Sequence, residues 1–65
     1  MTMITLKDSG GKPLAVSAGD VSAVEYVDDE LSAIHIRLGG DNVLTRVVKH
    51  TVEEIATALN KTMFF

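Results

Sequence analysis

The sequence predicts an α+β fold: a small antiparallel β-sheet of four or five strands with one C-terminal helix packed on one face. Two patterns and the chain length predict it. Up to Lys49 the chain runs through short segments of alternating apolar and polar residues, separated by turns rich in Gly, Asp and Asn. That is the pattern of strands with a buried face. Thr51 and Glu54 then stand three residues apart around Val52, with Ile55, Ala56 and Leu59 following. A Thr and a Glu at that spacing can each satisfy a free backbone N–H of a first helical turn, forming a capping box. At 65 residues the chain is one domain, 1–65, with room for one small core.

Met1 to Leu6 reads as the first strand, with Ile4 and Leu6 on one face and Met3 and Thr5 on the other. Lys7-Asp8-Ser9-Gly10-Gly11-Lys12 is a turn whose glycines are free to adopt positive φ. Pro13 to Val16 is a short second strand. Pro13 cannot donate to a ladder, so it belongs at a strand start or an edge. These two strands form a hairpin. Ser17-Ala18-Gly19-Asp20 breaks the alternation before the third strand, Val21 to Val27. There Val21, Ala23, Glu25 and Val27 share one face, and Ser22, Val24 and Tyr26 the other. Apolar residues on both faces point to a central strand or to a bulge that shifts register.

Asp28-Asp29-Glu30 is a charged turn. Ser32 to Leu38 is the cleanest strand: Ile34, Ile36 and Leu38 point one way, His35 and Arg37 the other. Gly39-Gly40-Asp41-Asn42 is a hairpin turn whose length leaves its type open. Val43 to Lys49 is the last strand, with Val43, Thr45 and Val47 on one face and Leu44, Arg46 and Val48 on the other. The helix spans Val52 to Lys61, with Val52, Ile55, Ala56 and Leu59 as its buried stripe. Glu53 and Glu54 in the first turn and Lys61 in the last suit the helix dipole, and Asn60 is a plausible terminator.

Composition narrows the function classes. A domain this short buries only about 60% of its unfolded surface and needs an efficient core, a cross-link or a partner. There is no Cys, so disulfides and thiolate metal sites are excluded. Apolar residues make up 46% of the chain, too many for a disordered segment. The net charge of −3 argues against a dedicated nucleic-acid binder, whose affinity rests on Lys and Arg neutralising phosphates. No stretch approaches the roughly 18 apolar residues of a membrane span, and no basic segment followed by an apolar run opens the chain. A cytoplasmic protein with no membrane span is expected, and the absence of Cys fits a reducing compartment.

Several segments together resemble a known family. They are Met3-Ile4-Thr5-Leu6, the Gly10-Gly11 turn, Asp20 to Glu25, Ile34 to Gly40, and Val47 to Ile55 with its Val-Val-Lys-His-Thr-Val-Glu-Glu run. In order and spacing they resemble the short flagellar proteins of the FlbD-like family, over about residues 3 to 60. The outline is also similar to the front half of LytTR-type DNA-binding domains, without the second half that those domains use on DNA. Glu30 to Ala33 is longer than the usual turn, and the Phe-rich tail lies outside the pattern. The resemblance implies the fold and carries over no active site.

With one sheet face under the helix, the other is expected to carry Val24, Tyr26, Leu44 and Val48. That is more apolar surface than a lone small sheet shows to water, and such a patch usually marks an interaction site. His35, Arg37 and Arg46 are candidates for one exposed patch, with Lys49 and His50 nearby, suited to an acidic partner or a phosphate. The plainer reading is a solvated face, since alternation alone puts polar residues there. Phe64 and Phe65 either fold back as core against the sheet edge, insert into a partner or second copy, or fray.

Chemical motifs are lacking. A metal site from His35, His50 and one carboxylate would need three distant residues to converge. Asp28-Asp29-Glu30 lacks the spaced oxygens and closing Glu of a calcium loop. Gly10-Gly11-Lys12 lacks the spacing and following helix of a phosphate loop. The serines carry no local nucleophile motif. The expectation is therefore a non-enzymatic protein-binding module, an accessory or regulatory factor acting as a homodimer, with no catalytic, cofactor or metal residues. The alternatives are a nucleic-acid-binding regulator using His35, Arg37, Arg46 and Lys49, or a small phage or mobile-element protein that binds a host protein.

Overall fold

A computed structural model describes residues 2–62. It is a small α+β fold whose strands are β1 (Met3–Lys7), β2 (Pro13–Ser17), β3 (Val21–Tyr26), β4 (Ser32–Gly39) and β5 (Asn42–Val48), followed by the helix α1 (Val52–Thr62). A single 3-10 turn, Ala18–Asp20, joins β2 to β3. The strands are all antiparallel but form two sheets rather than one, β1-β2 and β3-β4-β5. The sheets meet at one short seam. Asp8 bridges Val48, the Ser9 N–H donates to the Val47 carbonyl at 3.1 Å, and the Lys49 N–H donates to the Lys7 carbonyl at 2.7 Å. Helix α1 packs against β3 and β1 and closes the gap between the sheets. Among the described residues no helix is long and apolar enough to cross a membrane.

The core lies between the sheets and under the helix. Ile4 and Leu6 of β1, Val16 of β2, Ala18, Ile34 and Ile36 of β4, Val48 of β5 and Ile55 of α1 are buried together, with Leu14, Val21, Val24 and Leu59 packed against them. The helix begins as its sequence requires. The Thr51 N–H donates to Glu54 Oε1 at 2.9 Å, and the Glu54 N–H donates to Thr51 Oγ1 at 3.1 Å. The stripe it buries is Val52, Ile55, Ala58 and Leu59; Ala56, expected on that stripe, is exposed.

Two single-residue bulges decide which residues face inward. In β3 the pairing steps from Val21↔Ile36 to Ala23↔His35, leaving Ser22 as the extra residue. Val21 thereby joins Val24 on the core side. In the β4–β5 hairpin the pairing steps from Gly39↔Asn42 to Arg37↔Val43, leaving Leu38 as the extra residue. Because side chains alternate with period two, a shift of one residue exchanges the two faces of a strand. Leu44, Arg46 and Val48 therefore lie opposite Ile36, Ile34 and Ser32, on the core side.

This corrects three expectations. Val24 and Val48 do not lie on an uncovered face: Val48 is wholly buried and Val24 packs on the core. Tyr26 and Leu44 share that side but extend past its cover and are exposed. Arg46 does not join His35 and Arg37, because the bulge turns it to the opposite face, where it pairs with Asp8 at 3.7 Å. The expectations for Phe64 and Phe65 lie outside the described residues.

Candidate protein-binding surface

The open surface is the outer face of β3-β4-β5, where the register collects Ala23, Glu25, Ala33, His35, Arg37, Val43, Thr45 and Val47. His35 sits at its centre, on the middle strand. Its Nε2 contacts Glu25 Oε1 on β3, and its Nδ1 lies 3.0 Å from Thr45 Oγ1 on β5. In the neutral ring Nε2–H donates to the Glu25 carboxylate and Nδ1 accepts from the Thr45 hydroxyl; in the imidazolium both nitrogens donate. One side chain thus ties three strands together. Arg37, one step along the same face, directs Nη2 toward the Gly19 carbonyl at 3.4 Å.

The chain of carboxylate, imidazole and hydroxyl has the order of groups found in nucleophilic triads. Here it lies flat on an exposed sheet face. A depression of about 500 Å³ lies elsewhere, along α1, lined by Thr51, Glu53, Glu54, Thr57, Ala58 and Lys61. What the Glu25–His35–Thr45 row provides is cross-strand stiffness and a polar, pairable surface.

Exposed apolar side chains gather at the end of the β4–β5 hairpin, with Val43 on the outer face and Leu44 on the opposite one. Leu38 is 62% exposed, Val43 54% and Leu44 39%. Gly39 (φ +122°) and Gly40 (φ +56°) turn the chain there. Asp41 after them has no positive φ, which gives the sign pattern of a type II′ turn. The hairpin reaches past the seam that holds β5 to β1, so its last residues lack a second layer to pack on.

Family models, curated proteins and solved structures give no match to this chain.

Of the residues expected at a site, His35 and Arg37 stay together on the open face, and Leu44 and Tyr26 are exposed at separate places. The Tyr26 hydroxyl donates to Asp29 Oδ1 at 2.9 Å, and this bond holds its pKa above the ordinary tyrosine value, with burial and the charge of Asp28 adding to the effect. Lys49 and His50 lie at the seam. The Lys7 N–H donates to His50 Nε2 at 3.0 Å. The four cationic candidates therefore do not form one patch. Sequence reasoning missed Glu25 and Thr45 as partners of His35, and it set Leu38 on one face with Ile34 and Ile36, whereas the bulge leaves it exposed. The signal for Leu38 was its place immediately before the Gly39-Gly40 turn, where a strand readily takes an extra residue.

Proposed function

We propose that this chain is a non-enzymatic protein-binding module, an accessory or regulatory factor that docks through the outer face and free end of its three-stranded sheet. The observation that supports this reading is the joint exposure of Leu38, Val43 and Leu44 at one end of the hairpin. Exposed apolar side chains gathered at one strand end are stabilised when a partner covers them. The His35 row beside it supplies the polar contacts that such interfaces use for orientation. The likeness to FlbD-like proteins rests on the residues quoted above and adds the suggestion of a small bacterial accessory protein.

The test is site-directed photo-crosslinking. A photoreactive side chain at Val43, in cells producing the protein, should yield a covalent adduct with a protein partner. Leu44→Glu should abolish that adduct while leaving the far-ultraviolet circular dichroism unchanged, because Leu44 stands at the exposed hairpin end outside the core cluster. A chain that forms no adduct with any protein overturns the reading.

A further inference from the structure

The hydrogen-bonding edge of β5 specifies its occupant more closely than the apolar patch does. The Val47 carbonyl accepts from Ser9 and the Lys49 N–H donates to Lys7, so the odd-numbered residues of this strand turn their backbone groups away from β4. By the alternation of an antiparallel ladder, Val43 and Thr45 do the same. Among the described residues nothing pairs with them. Each therefore offers one free N–H and one free C=O on a regular stretch of strand, because the hairpin's bulge is carried by β4 and not by β5.

Such edges are normally blunted by Pro, Lys, a bulge or a covering element. The other edges here are protected in that way. Strand β2 opens with Pro13, and β3 carries the Ser22 bulge and lies against α1. The Val43–Thr45 stretch has no such device and presents β-branched and aliphatic side chains instead.

Resting on the protein-binding reading above, we propose that the partner at this edge is a second copy of the chain. Two β5 strands pair antiparallel about a twofold axis at Leu44. In that register Val43 of each copy faces Thr45 of the other, and all four free backbone groups on each edge are used in four hydrogen bonds. Leu44 meets Leu44 of the second copy on one face, and Val43 packs beside Thr45 on the other. Arg46, which also pairs with Asp8, falls opposite Asn42 of the second copy and next to its Asp41, so opposite charges approach. This self-complementarity favours a second copy over an unrelated strand. The product is a continuous six-stranded sheet whose two His35 rows lie on one face.

Sedimentation equilibrium of the full chain across the micromolar range tests this. Hydrogen exchange of the Val43 and Thr45 amides, read at two protein concentrations, accompanies it. The expected result is a monomer–dimer equilibrium in which those two amides gain protection as concentration rises. Thr45→Pro removes one donor per copy and blocks the ladder, and should raise the dissociation constant at least about tenfold. Leu44→Glu, which places like charges on the axis and leaves the backbone untouched, should do the same, so a folding defect in one variant does not leave the question open. A monomer at every concentration overturns the proposal. So does a dimer whose Val43 and Thr45 amides exchange independently of concentration. If the Val43 photo-adduct contains only a different protein, the second copy is excluded while the binding reading stands; if there is no adduct at all, both fall.

Discussion

The Ser32 hydroxyl donates to the His50 carbonyl at 2.7 Å, linking the first residue of β4 to the segment that leads into α1. Ser32 is completely buried, and this bond satisfies its hydroxyl. His50 is held a second time through its ring, which accepts the Lys7 N–H. A serine in the core is thus explained by a carbonyl that the ladders leave without a partner. Ser32→Ala strands that carbonyl and should destabilise the fold by about 1–3 kcal/mol. Urea denaturation, followed by far-ultraviolet circular dichroism, would show a lower midpoint with an unchanged slope. An unaltered midpoint would mean water replaces the hydroxyl at no cost.

The capping box predicts an acid-sensitive helix. Glu54 is held below its ordinary pKa, chiefly by the hydrogen bond from the Thr51 N–H; burial opposes this, and the Thr51 side chain and His50 add further lowering. A carboxylate whose pKa is depressed by folding contributes stability above its unfolded value. That contribution is lost as pH falls from the ordinary glutamate range of about 4.3 through the folded value. Thermal midpoints measured through this window should therefore decline less steeply in Glu54→Gln than in the parent. Thr51→Ala, which removes the other half of the box, should cost about 1 kcal/mol at neutral pH.

Tyr26 offers a clean spectroscopic reading, because it is the single Tyr of a chain without Trp. Its hydroxyl donates to Asp29, which favours the neutral phenol, so its pKa lies above the ordinary value. A group that folding shifts upward contributes stability below its unfolded pKa, and loses it as pH rises through the folded one. Ultraviolet titration of the phenolate should give a midpoint above about 10. Asp29→Asn should move that midpoint down while leaving the fold intact, since both residues are exposed. A midpoint that ignores the substitution would show that the bond does not form in solution.

The sequence made the elements legible and the faces much less so. The capping box, the Gly10-Gly11 and Gly39-Gly40 turns and the Ile34–Ile36 alternation are local signals, and each element stands where those signals place it, to within a few residues. The faces of β5 depend on register, which is a property of the pair. Without the extra residue at Leu38, a two-residue turn at Gly40-Asp41 would have put Val43, Thr45 and Val47 inside. Both assignments bury an apolar Val, so hydropathy alone does not choose between them. The bulge chooses Val48, and with it sends Arg46 toward Asp8 and away from His35. The Glu25–His35–Thr45 row was hidden for the same reason, since it exists only once three strands are aligned.

The helix stripe gives the sharpest contrast between neighbouring positions. Ile55 is fully buried where α1 closes over the two sheets, whereas Ala56, next to it, is exposed. The sequence periodicity allowed both to face inward, and packing against β3 and β1 turns the helix so that Ala58 takes the inner place. Ile55→Ala removes three carbons from the centre of a small core and should cost about 2–5 kcal/mol. A domain of this size starts near the lower end of the usual stability range, about 5 kcal/mol. The substitution should therefore leave a large unfolded fraction in the absence of denaturant. Ala56→Gln touches only solvent and should stay within about 0.5 kcal/mol of the parent. Amide exchange of both variants distinguishes the arrangements: global loss of protection in Ile55→Ala alone fits this packing, and comparable loss in Ala56→Gln would place the helix in the other rotation.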